Sequence, residues 1–153
     1  MMLSKFRNAG QTCVCANRIL VQDKIYDAFM DKLRARIAGL QVGNGMVAGS
    51  EIGPLINQAA LDKVERLVGS ATGAGAKPVV GGMPHALGGL FYHPTLLEQV
   101  DPDMEITQEE IFGPVASVIR FKAEQDAIQL ANDTPYGLAA YFYARDHARI
   151  WRV

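Results

Sequence analysis

The run Arg18-Ile-Leu-Val-Gln-Asp-Lys-Ile-Tyr-Asp-Ala-Phe-Met-Asp-Lys-Leu-Arg-Ala-Arg-Ile-Ala-Gly-Leu40 changes its hydrophobic period part-way through. Its first five residues, to Gln22, are apolar and β-branched in the middle, as a short buried strand requires. From Asp23 onward Ile25, Phe29, Leu33, Ile37 and Leu40 recur at spacings of three and four. That pattern predicts an amphipathic helix, with Asp23 placed to cap its first turn. A strand followed directly by a helix of this length is one half of a crossover unit.

The alternation continues outward. Gly43-Asn-Gly45 and Gly53-Pro54 punctuate a loop, after which Asn57 is placed to cap a helix carrying Leu61, Val64, Leu67, Val68 and Ala71 on one face. Lys77-Pro-Val-Val80, the second half of Leu90 to Leu97, Val115 to Phe121 and Leu138 to Ala144 read as strands. Glu124 to Ala131 reads as a helix, and a last one starts near Asp146. Parallel strands need a crossover between them, so the expected fold class is α/β: a mostly parallel sheet with helices on its faces.

At 153 residues, 49% of them hydrophobic, the chain has apolar material for one ordinary domain. Its 15 basic residues against 16 acidic ones leave no basic stripe, which argues against a nucleic-acid partner. The apolar stretches, such as Gly137 to Phe142, are far shorter than the roughly 20 residues of a membrane span. The N-terminal Met-Met-Leu-Ser-Lys-Phe-Arg-Asn8 has no apolar core leading to a cleavage site, so no secretory signal or membrane is expected and a cytoplasmic location is the default.

Only two cysteines occur, Cys13 and Cys15. They make no disulfide framework, and two sulfurs without a second ligand pair make no zinc site, so no metal is expected. Two readings remain open on local features. A thiol just after the Gly10 turn lies near backbone N–H groups that favour a thiolate and could hold a developing oxyanion. Alternatively, both cysteines are buried small hydrophobes.

Gly10-Gln-Thr-Cys13 resembles the active-site cysteine motif of the aldehyde dehydrogenase superfamily, and Glu109-Glu-Ile-Phe-Gly-Pro114 resembles its second motif. Gly53-Pro-Leu-Ile-Asn57, Phe91-Tyr-His-Pro-Thr-Leu96 and Asn132-Asp-Thr-Pro-Tyr-Gly-Leu138 also resemble blocks of that family, so nearly the whole chain is covered. Within the family the likeness is greatest to succinate-semialdehyde dehydrogenases, through Lys5 to Arg18 and Asn132 to Tyr143.

The resemblance implies NAD(P)-dependent oxidation of an aldehyde, succinate semialdehyde in that group, through a thiohemiacetal and then a thioester on Cys13. It implies that Glu110 holds the nicotinamide-side ribose of NAD or NADP and that Phe112 lies by the nicotinamide ring. Arg7 would grip the far carboxylate of the substrate, a pairing that an apolar residue could not supply. Cys15 has a counterpart that forms a regulatory disulfide with the nucleophile in some members. A homo-oligomer is the expected assembly.

The resemblance also implies what to expect of the boundaries. Residues 1–153 correspond to part of the catalytic domain, with the nucleotide-binding domain and its general base absent, so the sequence is expected to be truncated and inactive alone. The alternative is a non-catalytic remnant or folding module. Gly43-Asn-Gly-Met-Val-Ala48 fits a loose dinucleotide pattern, but Gly49 and Gly53-Pro54 follow where a helix would have to start, so it is read as a turn.

Overall fold

A computed structural model describes residues 1–153. Its strands are β1 (Arg18–Gln22), β2 (Lys77–Val80), β3 (Thr95–Glu98) and β4 (Val115–Phe121). They form one sheet in the order β1-β4-β3-β2. β4 runs parallel to both neighbours, with Arg18 opposite Ser117 and Thr95 opposite Val115. Only β2 is antiparallel, at an edge, where Pro78 lacks an N–H to donate. The expected mostly parallel α/β sheet is what forms.

Two helices sandwich the sheet. On one face α3 (Gln58–Gly73) buries Leu61, Val64, Leu67, Val68 and Ala71 against Leu97, Val115 and Ile119. On the other, α2 (Asp23–Ala38) buries Tyr26, Met30, Leu33 and Ile37 against Ile19, Leu96, Ala116 and Val118. Successive residues of β3 and β4 thus point to opposite cores, as the two-residue period of a strand demands. Leu67 and Leu97 are fully buried, and each such side chain contributes about 1.5–3 kcal/mol of transfer free energy.

The helix starts follow local chemistry. Asn57 Oδ1 accepts the Ala60 N–H at 2.9 Å and caps α3 as expected. Asp146 caps α6 (His147–Arg152) through the Ala148 N–H at 2.9 Å. Asp23 does not cap α2: it is the first helical residue, and its carboxylate accepts from Arg120 at 2.9 Å. The buried stripe of α2 is also rotated from expectation. Ile25 is 57% exposed, because Tyr26 takes the core position and stacks under the Arg120 guanidinium.

The strand expected over Leu138 to Ala144 does not form. That segment is irregular, with Leu138 and Tyr143 exposed, and it pairs with no strand of the sheet. Three short pieces were not anticipated: α1 (Met2–Phe6), a 3-10 turn over Arg7–Gly10, and α4 (Glu105–Gln108). With α5 (Glu124–Asn132) they complete the helices. No helix is long and apolar enough to cross a membrane.

Candidate active site

The cysteine loop leaves α1 through three consecutive residues in left-handed conformation, Asn8, Ala9 and Gly10, with φ of 52°, 55° and 76°. Gln11 then pins the loop sideways. Its Oε1 accepts the Ile56 N–H at 2.8 Å, and its Nε2 donates to the Pro54 carbonyl at 3.3 Å. Thr12 to Cys15 forms a tight turn closed by the Cys15 N–H on the Thr12 carbonyl at 2.9 Å. Cys13 sits on that turn, exposed, while Cys15 is half-buried, and both are free thiols. The Tyr141 hydroxyl donates to the Val14 carbonyl between them at 3.0 Å.

The second loop, Glu109 to Pro114, follows α4. Arg66 holds the Glu109 carboxylate at 2.7 Å and also pairs with Glu105. The neighbouring Glu110 carboxylate is exposed and makes no ion pair, while its backbone carbonyl accepts from Lys63 Nζ at 2.9 Å. Phe112 adopts φ 51° and is half-buried. At Gly113 a Cβ would fall 2.5 Å from Val64 of α3, so the loop lies flat on that helix.

The two loops are joined. Asn17, four residues after Cys13, donates from Nδ2 to the Glu109 carbonyl at 2.9 Å and accepts the Ile111 N–H on Oδ1 at 2.9 Å. Arg18 extends the connection by donating to the carbonyls of Leu130 at 2.6 Å and Ala131 at 3.1 Å, which end α5. A cation at a helix C-terminus is well placed there.

Arg7 opens the 3-10 turn on the exposed surface, and its guanidinium makes no salt bridge or side-chain hydrogen bond. Lys5, two residues earlier, is 1% exposed. Burial pushes its ammonium down to about 8, and the nearby Cys15 and Glu110 oppose the drop. Cys13, Arg7 and the Glu110 carboxylate are thus all exposed and unpaired, on two loops that one side chain ties together.

The model of the aldehyde dehydrogenase family matches residues 1–153. This chain belongs to that family. Glutarate-semialdehyde dehydrogenase of Pseudomonas aeruginosa is 55% identical over 152 residues, 99% of this chain and 32% of that protein. The NADP(+) succinate-semialdehyde dehydrogenase of Escherichia coli is 52% identical over the same share of this chain and 32% of its own. The crystal structure of succinate-semialdehyde dehydrogenase from Burkholderia pseudomallei superposes with a TM-score of 0.97 at 52% identity, covering 99% of this chain and 31% of that one. The chain therefore spans about a third of the length of the relatives it matches.

Aldehyde dehydrogenases carry a nicotinamide cofactor, and the residues present fit one edge of it. An unpaired carboxylate at Glu110 suits a ribose diol, and the half-buried Phe112 ring two residues on suits a planar heterocycle. The Gly43 to Ala48 segment offers no pyrophosphate cradle: it is a turn closed by Val47 N–H on the Asn44 carbonyl, and the next helix starts only at Gln58. Asn17, Lys5 and Tyr141 are brought to these loops by the fold. Asn17 lay inside the quoted cysteine motif, and a lysine among apolar neighbours beside it was the one available sign of Lys5.

Proposed function

We propose that this chain supplies the nucleophile, the ribose-side carboxylate and the substrate-carboxylate grip of an enzyme oxidising a short aldehyde that ends in a carboxylate, succinate semialdehyde or its one-carbon-longer homologue. The observation that carries the reading is the exposed Cys13 on a turn locked to the loop bearing the unpaired Glu110. In this assignment Cys13 Sγ attacks the aldehyde carbon to give a thiohemiacetal and later holds the thioester that water cleaves. The developing oxyanion sits near the Cys13 N–H. Arg7, exposed and without an acidic partner, takes the far carboxylate by a charge-assisted pair.

Glu110 and Phe112 would hold the ribose and ring of NAD or NADP, which when bound accepts hydride from the substrate carbon. Cys15, two residues from the nucleophile, is the candidate partner for a regulatory disulfide. Residues 1–153 are read as part of the catalytic domain, and the pyrophosphate site and general base are read as lying outside them. A cytoplasmic setting, which keeps thiols reduced, suits two free cysteines. The exposed Leu138, Phe142, Tyr143 and Trp151 support a homo-oligomer. The second reading is a non-catalytic folding module.

Limited iodoacetamide labelling with peptide mass mapping tests the nucleophile. Cys13 is expected to react first. Preferential labelling of Cys15, or of neither cysteine in the folded chain, would point to the folding module.

A further inference from the structure

We propose that Asn17 is a positioning residue whose carboxamide fixes Glu110 relative to Cys13, so that the two loops move as one piece. The inference rests on the assignment of those two residues above. Glu110 is bracketed in sequence by the two groups that Asn17 holds: the Glu109 carbonyl on one side and the Ile111 N–H on the other. The second Nδ2 hydrogen goes to the Ile106 carbonyl at 3.3 Å, at the base of the same loop. Donors and acceptor are therefore all used within the protein.

Only a carboxamide of this length offers two donors and an acceptor in one plane at fixed separation. A carboxylate would set negative charge against two carbonyls, and a serine hydroxyl could satisfy no more than part of the set. The main chain of Asn17 completes the brace. Its carbonyl accepts from the fully buried Ser117 of β4 at 2.6 Å, and the preceding Ala16 N–H bonds the Ser4 carbonyl of α1 at 2.8 Å. The chain from Asn17 back to Cys13 passes through the closed Thr12–Cys15 turn, so little slack remains between the thiol and the brace.

Such a brace bears on chemistry because a misplacement of about 1 Å between reacting groups costs on the order of a hundredfold in rate. Asn17 itself touches neither substrate nor cofactor in this assignment. It acts through Glu110 and Cys13.

The test measures the relative placement of the two loops in the chain itself. In a Cys15→Ser, Glu110→Cys background, nitroxide labels at positions 13 and 110 report an interspin distance distribution by dipolar EPR. Asn17→Ala is expected to widen that distribution and shift its mean. Asp146→Ala, which removes the α6 cap and costs stability without touching either loop, is expected to leave it unchanged. If Asn17→Ala lowers the unfolding midpoint but keeps the parent distribution, the residue is merely structural and the proposal falls. Asn17→Asp, which keeps only the acceptor toward Ile111, serves if the alanine variant does not fold and carries the same two outcomes. Cys13 labelling in the unmodified chain is read separately, so failure of the nucleophile assignment is distinguishable from failure of the brace.

Discussion

Gly10 and Gly113 meet with no space between them: a Cβ on Gly10 would fall 2.0 Å from the Gly113 carbonyl oxygen and 2.5 Å from its carbon. The obstacle is backbone, which cannot rotate away, and Gly10 also sits at φ 76°. Gly10→Ala should therefore cost the roughly 1–3 kcal/mol of overpacking plus about 1–2 kcal/mol of left-handed backbone strain. Gly69→Ala, in the exposed interior of α3 with nothing within 4 Å, should be stabilising by up to about 1 kcal/mol. Denaturant midpoints of the two variants check both signs.

Lys5→Met should stabilise the chain at neutral pH. Burial lowers the Lys5 ammonium from its ordinary 10.5 to about 8, a penalty on the charged form of about 3 kcal/mol. Between those two values the unfolded chain binds more protons than the folded one, so the wild-type stability rises with pH through that window. The gain from Lys5→Met should be full below pH about 8 and fade by about 10.5. A gain independent of pH would show that the substitution acts through packing alone.

The attachment of α6 should fail in acid. Hydrogen bonds from Arg152 and Arg149 pull the Glu124 carboxyl down from 4.5 to about 2. A depressed carboxyl contributes above its unfolded value and loses that contribution as pH falls through the folded one, here from about 4.5 towards 2. Trp151, the only tryptophan, lies in α6. Its fluorescence anisotropy should drop over that window, and Glu124→Gln should produce the same drop at pH 7. Arg152 is exposed and Glu124 and Arg149 only half-buried, so high salt should weaken the attachment in part as well.

Substrate choice is tested through Arg7 in a complete enzyme carrying this segment. Losing a charge-assisted hydrogen bond costs about 1.5–3 kcal/mol, roughly ten- to hundredfold. Arg7→Ala should raise the Michaelis constant for succinate semialdehyde by that factor and leave a neutral aldehyde of similar length nearly unaffected. Equal effects on both would remove the main support for a carboxylate-bearing substrate.

Much of this was legible in the residues. The face of α3 could be read directly because its five buried positions are all aliphatic or alanine with polar residues between them. In α2 the periodicity favours Ile25 over Tyr26, and nothing in it marks that the tyrosine ring is drawn inward beneath Arg120. Leu138 to Ala144 has strand composition, but a strand exists only with a neighbour, and composition does not name one. Cys13 and Glu110 are assigned through motifs. Asn17 is not, because its role is a set of contacts with residues some ninety positions away, and only the fold brings those together.

The parallel pairing of β1 with β4 also sets an order in time. Arg18 finds its partner only at Ser117, so the cysteine loop lacks its strand support and its Glu109–Ile111 brace until the far strand has been made. At about 5–20 residues per second of synthesis, roughly 5–20 s pass between the emergence of the thiols and the arrival of the strand that seats them. During that interval Cys15, half-buried in the fold, is as open to oxidants and to its neighbour as Cys13 is.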